Sequence, residues 1–364
     1  MKKMLTFMLM CTMLLSLVTG CSGNEKPAER TPSGPDVSAP KGGPAENSDP
    51  FADFGTFKMT IGHAQAENNP RHLSLLAFKE EVESRTNDHV TIEIYSNGQL
   101  GSEKEMFEQC MAGNIQGFRG GIFDFTPRLN IFSLPFLSGS MEESAALLSC
   151  DFSNELFADA GEETGTVILS VCNSGFRQIS NSKRAVKTPA DLDGLLMRVN
   201  GLLPTSYAFT AMGASTVSMP LGDVYMALKT GACDGQENPW VNITGQKFQE
   251  VQQYFTEVNW QSNPDPFWVN GAWWETIPVE FQDIMREAAD NASKYNDKLC
   301  VEADNAAKQA IVDAGGEIYV PTAEELKAFQ DACQPAYVEA IENGVCTQED
   351  LDHLLQALEA YRNP

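Results

Sequence analysis

The chain is poor in basic residues and in histidine. It has 25 Lys and Arg against 50 Asp and Glu, and four His, for a formal charge of −25 over 364 residues. That deficit excludes a generic nucleic-acid binder, which needs a basic footprint. It also argues against docking on anionic lipid through a basic face. Four His leave little room for multi-histidine metal chemistry, and no metal or cofactor is expected. No CxxC spacing occurs. Setting aside Cys11 and Cys21 leaves an odd set of cysteines at 110, 150, 172, 233, 300, 333 and 346, so neither a zinc ribbon nor a complete disulfide framework is indicated. Most are expected as small buried hydrophobes, with one pair left open to bridging. HExxH, P-loop, GxSxG and ordered GxGxxG motifs are all missing. Carboxylate pairs abound but carry little information in so acidic a chain. Beyond Val18 no apolar run is long enough to span a bilayer.

What is present begins with a leader. Lys2 and Lys3 precede an apolar run from Met4 to Val18, too short and wrongly flanked for a transmembrane helix. The run ends Leu17-Val18-Thr19-Gly20-Cys21, which resembles a bacterial lipobox. The expectation is a signal peptide over 1–20, with lipidated Cys21 as the new N-terminus; a plain signal peptide with an incidental Cys is the alternative. A diacylated Cys brings two buried chains at once, enough for an anchor. From Cys21 to about Asp53 the chain is rich in Pro, Gly and Ala with few apolar residues, and reads as a disordered tether spanning roughly 30–35 Å.

The remainder is long enough for more than one core and alternates strand with helix. Phe57–Gly62 and Val90–Tyr95 read as strands, with a Pro70-initiated amphipathic helix to about Thr86 between them. Ser102 caps a helix to about Ala112, supported by Glu105. Val167–Cys172 and Leu195–Val199 read as strands, Pro204–Met212 and Leu221–Thr230 as helices. From Pro278 to about Ala314 apolar residues keep a helical stripe, ended by Gly315-Gly316. Such a helix is roughly 55 Å long and predicts a span across two bodies. Ile318–Val320 is a short strand, Thr322 and Glu325 form a capping box, and Thr347–Tyr361 is a last helix. This order is that of an α/β layered protein.

The informative stretch runs from Gly175 to Pro239. It contains Gly175-Phe-Arg177-Gln-Ile-Ser-Asn-Ser-Lys-Arg184, Leu195-Leu-Met-Arg198-Val199, Met212-Gly-Ala, Ser218-Met-Pro220 and Asp234-Gly-Gln-Glu-Asn238-Pro239. Arg198 ends an apolar strand, where open α/β sheets place binding residues. Two guanidinium forks converging on one cleft suit a carboxylate; two surface arginines in local ion pairs are the other reading. These strings, with Gly62-His63-Ala64, Asn97-Gly-Gln-Leu-Gly101, Leu134-Pro-Phe136 and Lys247-Phe-x-Glu-Val251, resemble the solute-binding proteins of TRAP (tripartite ATP-independent periplasmic) transporters, the DctP-like family. The resemblance covers about residues 57–362.

The resemblance implies a periplasmic-binding-protein-like clamshell of two α/β lobes, joined by hinge strands and a long helix spanning both. By analogy the first lobe is about 54–173 with 263–302, and the second about 174–262 with 303–364. It implies a carboxylate ligand held by Arg198 as the selectivity filter, with Arg177 as a second contact and Asn238 in support. It implies delivery to membrane permease subunits driven by an ion gradient, with no reaction, no cofactor and a monomeric state. The field of the acidic chain would repel an anion, but salt screens it beyond roughly 8–10 Å, so local arginines must set the sign inside the cleft.

The sequence departs from the family in places. Where R-V-P is common, this chain has Arg198-Val199-Asn200-Gly201, and Asn200 restores an N–H and adds an amide to the turn. Leu221 stands where an aromatic often floors the ligand. Trp240 follows Asn238-Pro239 where a smaller residue is usual, and either faces the ligand or packs against the hinge. From the first lobe, His63 is a hydrogen-bonder or a structural residue, and Glu103 contributes to the site or only favours its helix dipole. Phe118 and Arg119 lie in a segment that often contributes contacts. An inward Arg119 would meet a second carboxylate and favour a C4-dicarboxylate. A more neutral pocket with Trp240 and His63 would favour a sugar, keto or aromatic acid. Two other classes remain: a ligand-presenting sensory lipoprotein of the same fold, and an extracellular enzyme acting on a carboxylate.

Overall fold

Two strands are far longer than the rest, and they organise the molecule. The computed structural model describes residues 49–121 and 125–364; the leader, Cys11, Cys21 and nearly all of the tether lie outside the described residues. The strands are β1 (Phe57–Gly62), β2 (Val90–Tyr95), β3 (Gly117–Arg119), β4 (Thr166–Asn181), β5 (Leu196–Val199), β6 (Ser215–Ser218), β7 (Gly235–Pro239), β8 (Tyr254–Asn270) and β9 (Glu317–Tyr319). They form one mixed sheet in the order β2-β1-β3-β8-β4-β7-β5-β6, with β9 beside β8. Strands β4 and β8 run antiparallel to each other and each is about 50 Å long. Opposite ends of this pair carry different partners. The C-terminal part of β8 pairs with β3 at Phe267–Val269. The C-terminal part of β4 pairs with β7 at Arg177–Asn181. The ladder between them is irregular at Ile168/Val171, Asn173/Phe176 and Arg177/Ile179, where extra residues bend and twist the ribbon.

The result is a two-lobed α/β protein with two shared strands. The helices are α1 (Pro70–Arg85), α2 (Glu103–Met111), α3 (Met141–Ser149), α4 (Asp151–Thr164), α5 (Leu203–Ala211), α6 (Leu221–Thr230), α7 (Trp240–Gly245), α8 (Gly271–Trp274), α9 (Val279–Asp313), α10 (Ala323–Ala332), α11 (Gln334–Glu342) and α12 (Gln348–Arg362). Strand alternation sorts the core onto two faces: Phe267 and Val269 pack with α1 and the first half of α9, while Trp268 points the other way to Phe107 and Phe118. In the second lobe, Met197 and Val199 of β5 pack with Phe209 and Trp260. Val224, Trp240 and Phe255 pack with Ala307 and Ile311 of α9. Helix α9 therefore belongs to both lobes, as its continuous stripe predicts. Trp268 and Trp274 are core residues, with the Arg286 guanidinium 5.0 Å from the Trp274 ring centroid.

Two expectations need correction. The tether ends earlier than Asp53: Phe51 packs edge-on against Phe281 at 4.9 Å, and Asp49 pairs with His89 at 2.7 Å, so two apolar rings draw this short stretch into the fold. The last helix does not lie with the second lobe. Leu351, Leu354 and Leu358 of α12 share a cluster with Leu147, Leu156 and Phe157, so the chain returns to the first lobe. The cysteines agree with the expectation of small buried residues: all seven after Cys21 are free thiols and six of them are buried, so the pair left open to bridging is not formed. Among the described residues no helix is long and apolar enough to cross a membrane.

Candidate ligand-binding site

Strand β5 is a short parallel strand whose end delivers Arg198 into a cavity of about 540 Å³. One wall comes from the second lobe: Arg198, Asn200, Gly201, Leu202 and Ser218–Leu221. The other comes from the first: Ser102, Glu103, Lys104 and Phe125. The turn after the strand is set by sequence. Gly201 takes a φ of +97°, a conformation L side chains avoid. The Asn200 Oδ1 accepts from the Leu202 backbone N–H at 3.2 Å, the local bond that short amide side chains favour in turns.

Arg198 is 3 % exposed. Its Nε and Nη2 both donate to the Met219 carbonyl, at 3.1 and 2.6 Å. Burial pushes its pKa down to about 10; Arg177 pushes the same way, while Glu237 and Glu103 oppose it. Among the described residues no carboxylate lies in ion-pair contact with it. The other three buried arginines are all paired.

Arg177, on β4, is held by Glu237. Its Nε meets Glu237 Oε2, and Nη2 donates to Oε1 at 2.9 Å and to the Glu237 carbonyl at 2.8 Å. Nη1 donates to Asn263 Oδ1 at 2.6 Å. Glu237 is fully buried, so this is a bidentate pair closed off from water. Arg177 is near enough to Arg198 to act on it electrostatically, but it does not line the cavity. Asn238 is buried on β7, next to Glu237 and opposite Gln178 of β4. It donates to Gln236 Oε1 at 2.6 Å, and Asn242 donates to its Oδ1 at 3.4 Å. Asn69, the N-cap of α1, donates to Asn242 Oδ1 at 2.9 Å. A line of side-chain amides thus joins the first lobe to β7.

The remaining first-lobe residues assemble differently. Arg119 is fully buried and points inward, but onto protein groups. It donates to Ser74 Oγ at 3.1 Å and to Cys172 Sγ, and its Nε faces Asp265 Oδ2 at 3.3 Å without hydrogen-bond alignment. Asp265 also accepts from Arg71 Nε at 3.0 Å and Ser174 Oγ at 2.9 Å. Arg71 then reaches Glu103 Oε1 at 2.7 Å. His63 is fully buried. Its Nδ1 accepts from the Gln65 backbone N–H at 3.2 Å, which leaves the proton on Nε2 to face His72 Nδ1 at 3.0 Å. Burial, and then Arg71, hold it well below the usual imidazole range, so it is neutral at pH 7 and does not line the cavity. Phe118 is a core ring beside Phe107. Trp240 is 1 % exposed and packs with Phe255 under Lys308, so it faces the core and not the cavity. Leu221 does line the cavity.

Of the residues singled out from sequence, Arg198, Glu103 and Leu221 meet in the cavity. Arg177 and Asn238 form a buried layer near it, and His63, Arg119, Phe118 and Trp240 lie outside it. Arg71, and the carboxylates Asp265 and Glu237 that pair with Arg71, Arg119 and Arg177, stand outside the residues the sequence singles out. Only Glu237 carried a sequence signal, inside the Gln236-Glu237-Asn238-Pro239 string.

The family profile described as bacterial extracellular solute-binding protein, family 7 (DctP), matches residues 61–343. A solute-binding protein of Chromohalobacter salexigens is 32 % identical over 271 residues, covering 74 % of this chain and 80 % of the relative. The structure of a TRAP periplasmic solute-binding protein from Shewanella oneidensis with bound succinate superposes with a TM-score of 0.79 at 28 % identity, over 84 % of this chain and 100 % of that one. Another from Chromohalobacter salexigens, with bound D-glucuronate, gives 0.77 at 28 %, over 83 % and 99 %.

Proposed function

Because the chain belongs to the bacterial extracellular solute-binding protein family 7, the DctP family of TRAP solute-binding proteins, we propose that it captures a small organic acid through Arg198 and hands it to a TRAP permease. The observation that carries this reading is Arg198 itself: a buried guanidinium on a cavity wall, hydrogen-bonded to a carbonyl and paired with no carboxylate. A buried charge is costly unless paired, and a ligand carboxylate would supply the pair. Succinate and D-glucuronate in the related structures are both acids of this kind. Arg177 and Asn238 act in this reading as the layer that orients Arg198.

The cavity has one wall from each lobe, so a ligand touching both favours the closed form over an open, wet one. We take the bodies that move to be about 54–173 with 263–302, and 174–262 with the chain from 303 up to α12, which rides on the first. Lipidation at Cys21 would hold the protein at the outer face of the cytoplasmic membrane. The protein then carries its ligand and performs no reaction.

A thermal-shift screen of the purified chain against C4-dicarboxylates, uronates, aldonates, keto acids and aromatic acids tests this, with Arg198→Ala alongside. Ligand that binds only the native state raises the melting temperature. The expected result is a clear rise with at least one acid that disappears in Arg198→Ala. A rise that survives the substitution would place the carboxylate elsewhere, and ligand consumed during the assay would make the protein an enzyme.

A further inference from the structure

The balance of buried charge around the cavity says more about the ligand than that it is an acid. Four arginines are buried here: Arg71, Arg119, Arg177 and Arg198. Three carboxylates are in ion-pair contact with them. Asp265 serves Arg71 and Arg119, Glu103 serves Arg71, and Glu237 serves Arg177. One positive charge remains, on Arg198. Asp297 on α9 feels the Arg119 charge but is in ion-pair contact with none of the four, and it is partly exposed. Protein groups therefore leave a place for one negative charge on the ligand.

The wall opposite Arg198 argues against a second. Glu103 lines the cavity with its side chain 25 % exposed. Its Oε1 accepts from Arg71, and among the described residues no donor meets its Oε2. Its charge reaches Arg198 across the space a ligand would fill. An acceptor with a spare oxygen suits a hydroxyl donor and repels a carboxylate. Lys104 is the cation on that wall, but it is exposed and its Nζ sits 5.6 Å from the Phe125 ring centroid, where water screens it.

Building on the Arg198 reading above, we propose that Glu103 is a specificity determinant that admits singly charged, hydroxylated acids such as aldonates and uronates and rejects dicarboxylates. Arg198 takes the one carboxylate, and Glu103 accepts from a hydroxyl at the far end.

Calorimetric titration of the full-length chain tests this with D-glucuronate, D-gluconate, succinate and monomethyl succinate. The last two differ by one methyl group and one charge, so their ratio isolates the second carboxylate without any substitution. Two like charges a ligand's length apart make a preference of about tenfold or more for the monoester reasonable. Glu103→Gln is expected to bring that ratio close to one and to weaken the sugar acids several-fold. Arg198→Ala is expected to abolish all binding. Succinate binding as tightly as its monoester, or a ratio unmoved by Glu103→Gln, overturns the role of Glu103 and leaves the Arg198 site standing. Binding that survives Arg198→Ala, or no binding by any of the acids, overturns both.

Discussion

Replacing Arg198 with Met should stabilise the unliganded protein while removing its ability to bind. Burial lowers the guanidinium pKa to about 10, more than two decades of proton affinity below its ordinary value. At about 1.4 kcal/mol per decade the folded state bears a cost of about 3 kcal/mol for keeping this group charged. The sign follows from linkage. The unfolded chain holds the proton more tightly, so the cost is fully present at neutral pH and fades as pH rises through about 10. Methionine has similar length and no charge, but it leaves the Met219 carbonyl without its two donors, a loss of about 1 kcal/mol. The net gain is then about 1–3 kcal/mol. For a folded body of roughly 300 residues, an unfolding entropy of about 0.6 kcal/mol/K turns this into a rise of about 2–5 °C. Calorimetry at pH 7.5 without ligand measures it directly, and repeating it with a binding acid should show no further rise in the variant. An unliganded melting temperature at or below wild type would refute the reasoning, because it would mean that the buried charge is already compensated.

Two other substitutions probe the charges around this site. Glu237→Gln leaves Arg177 buried with half its pair, so stability should fall by about 3–5 kcal/mol in chemical denaturation, and the double change Arg177→Met with Glu237→Leu should recover most of it. Asp304 on α9 is raised by burial to about 6, with Lys308 opposing. Its ionised form therefore costs stability above pH 6, and acidification toward pH 4 relieves that cost. Asp304→Asn should stabilise by about 1–2 kcal/mol at pH 7.5, with the gap to wild type closing by pH 4 in parallel melts.

Local periodicity made much of the scaffold legible. Strands β1 and β2, the capping boxes at Ser102 and Thr322 and the whole of α9 stand where the pattern places them, because each is decided within a few turns of chain. The hinge strands were harder to read. Strand β8 contains Pro264 and Pro266, which cannot donate to a ladder. They are tolerated opposite Asn173 and Val171, beside the register shifts. Strand β4 continues past Cys172 through Asn173, Ser174, Arg177 and Gln178, a buried polar run that reads as loop. It survives burial because partners remote in sequence satisfy it, among them Asn263 and Asn259. The same remoteness hid the charge pairing. Arg71 and Asp265 are 194 residues apart, and nothing near either one names the other. Arg198 was legible because a strand end and a family string both mark it, whereas its lack of a counter-ion is a property of the assembled cluster.

The thiols turn the native state into its own chemical shield. Burial drives Cys110, Cys172 and Cys333 up to about 12 and Cys346 to about 11. At pH 7 only about one in 10⁵ of the first three thiols, and about one in 10⁴ of the Cys346 thiol, carries the reactive thiolate, against a few per cent for a free cysteine. A protein of an extracytoplasmic family that keeps six buried, unbridged cysteines among its described residues shields those thiols from oxidants so long as it stays folded. Each transient opening cancels that immunity at the cysteines it uncovers. Mass-resolved alkylation would thus time the separate openings of both lobes, using reporters already distributed from Cys110 in α2 to Cys346 near the C-terminus.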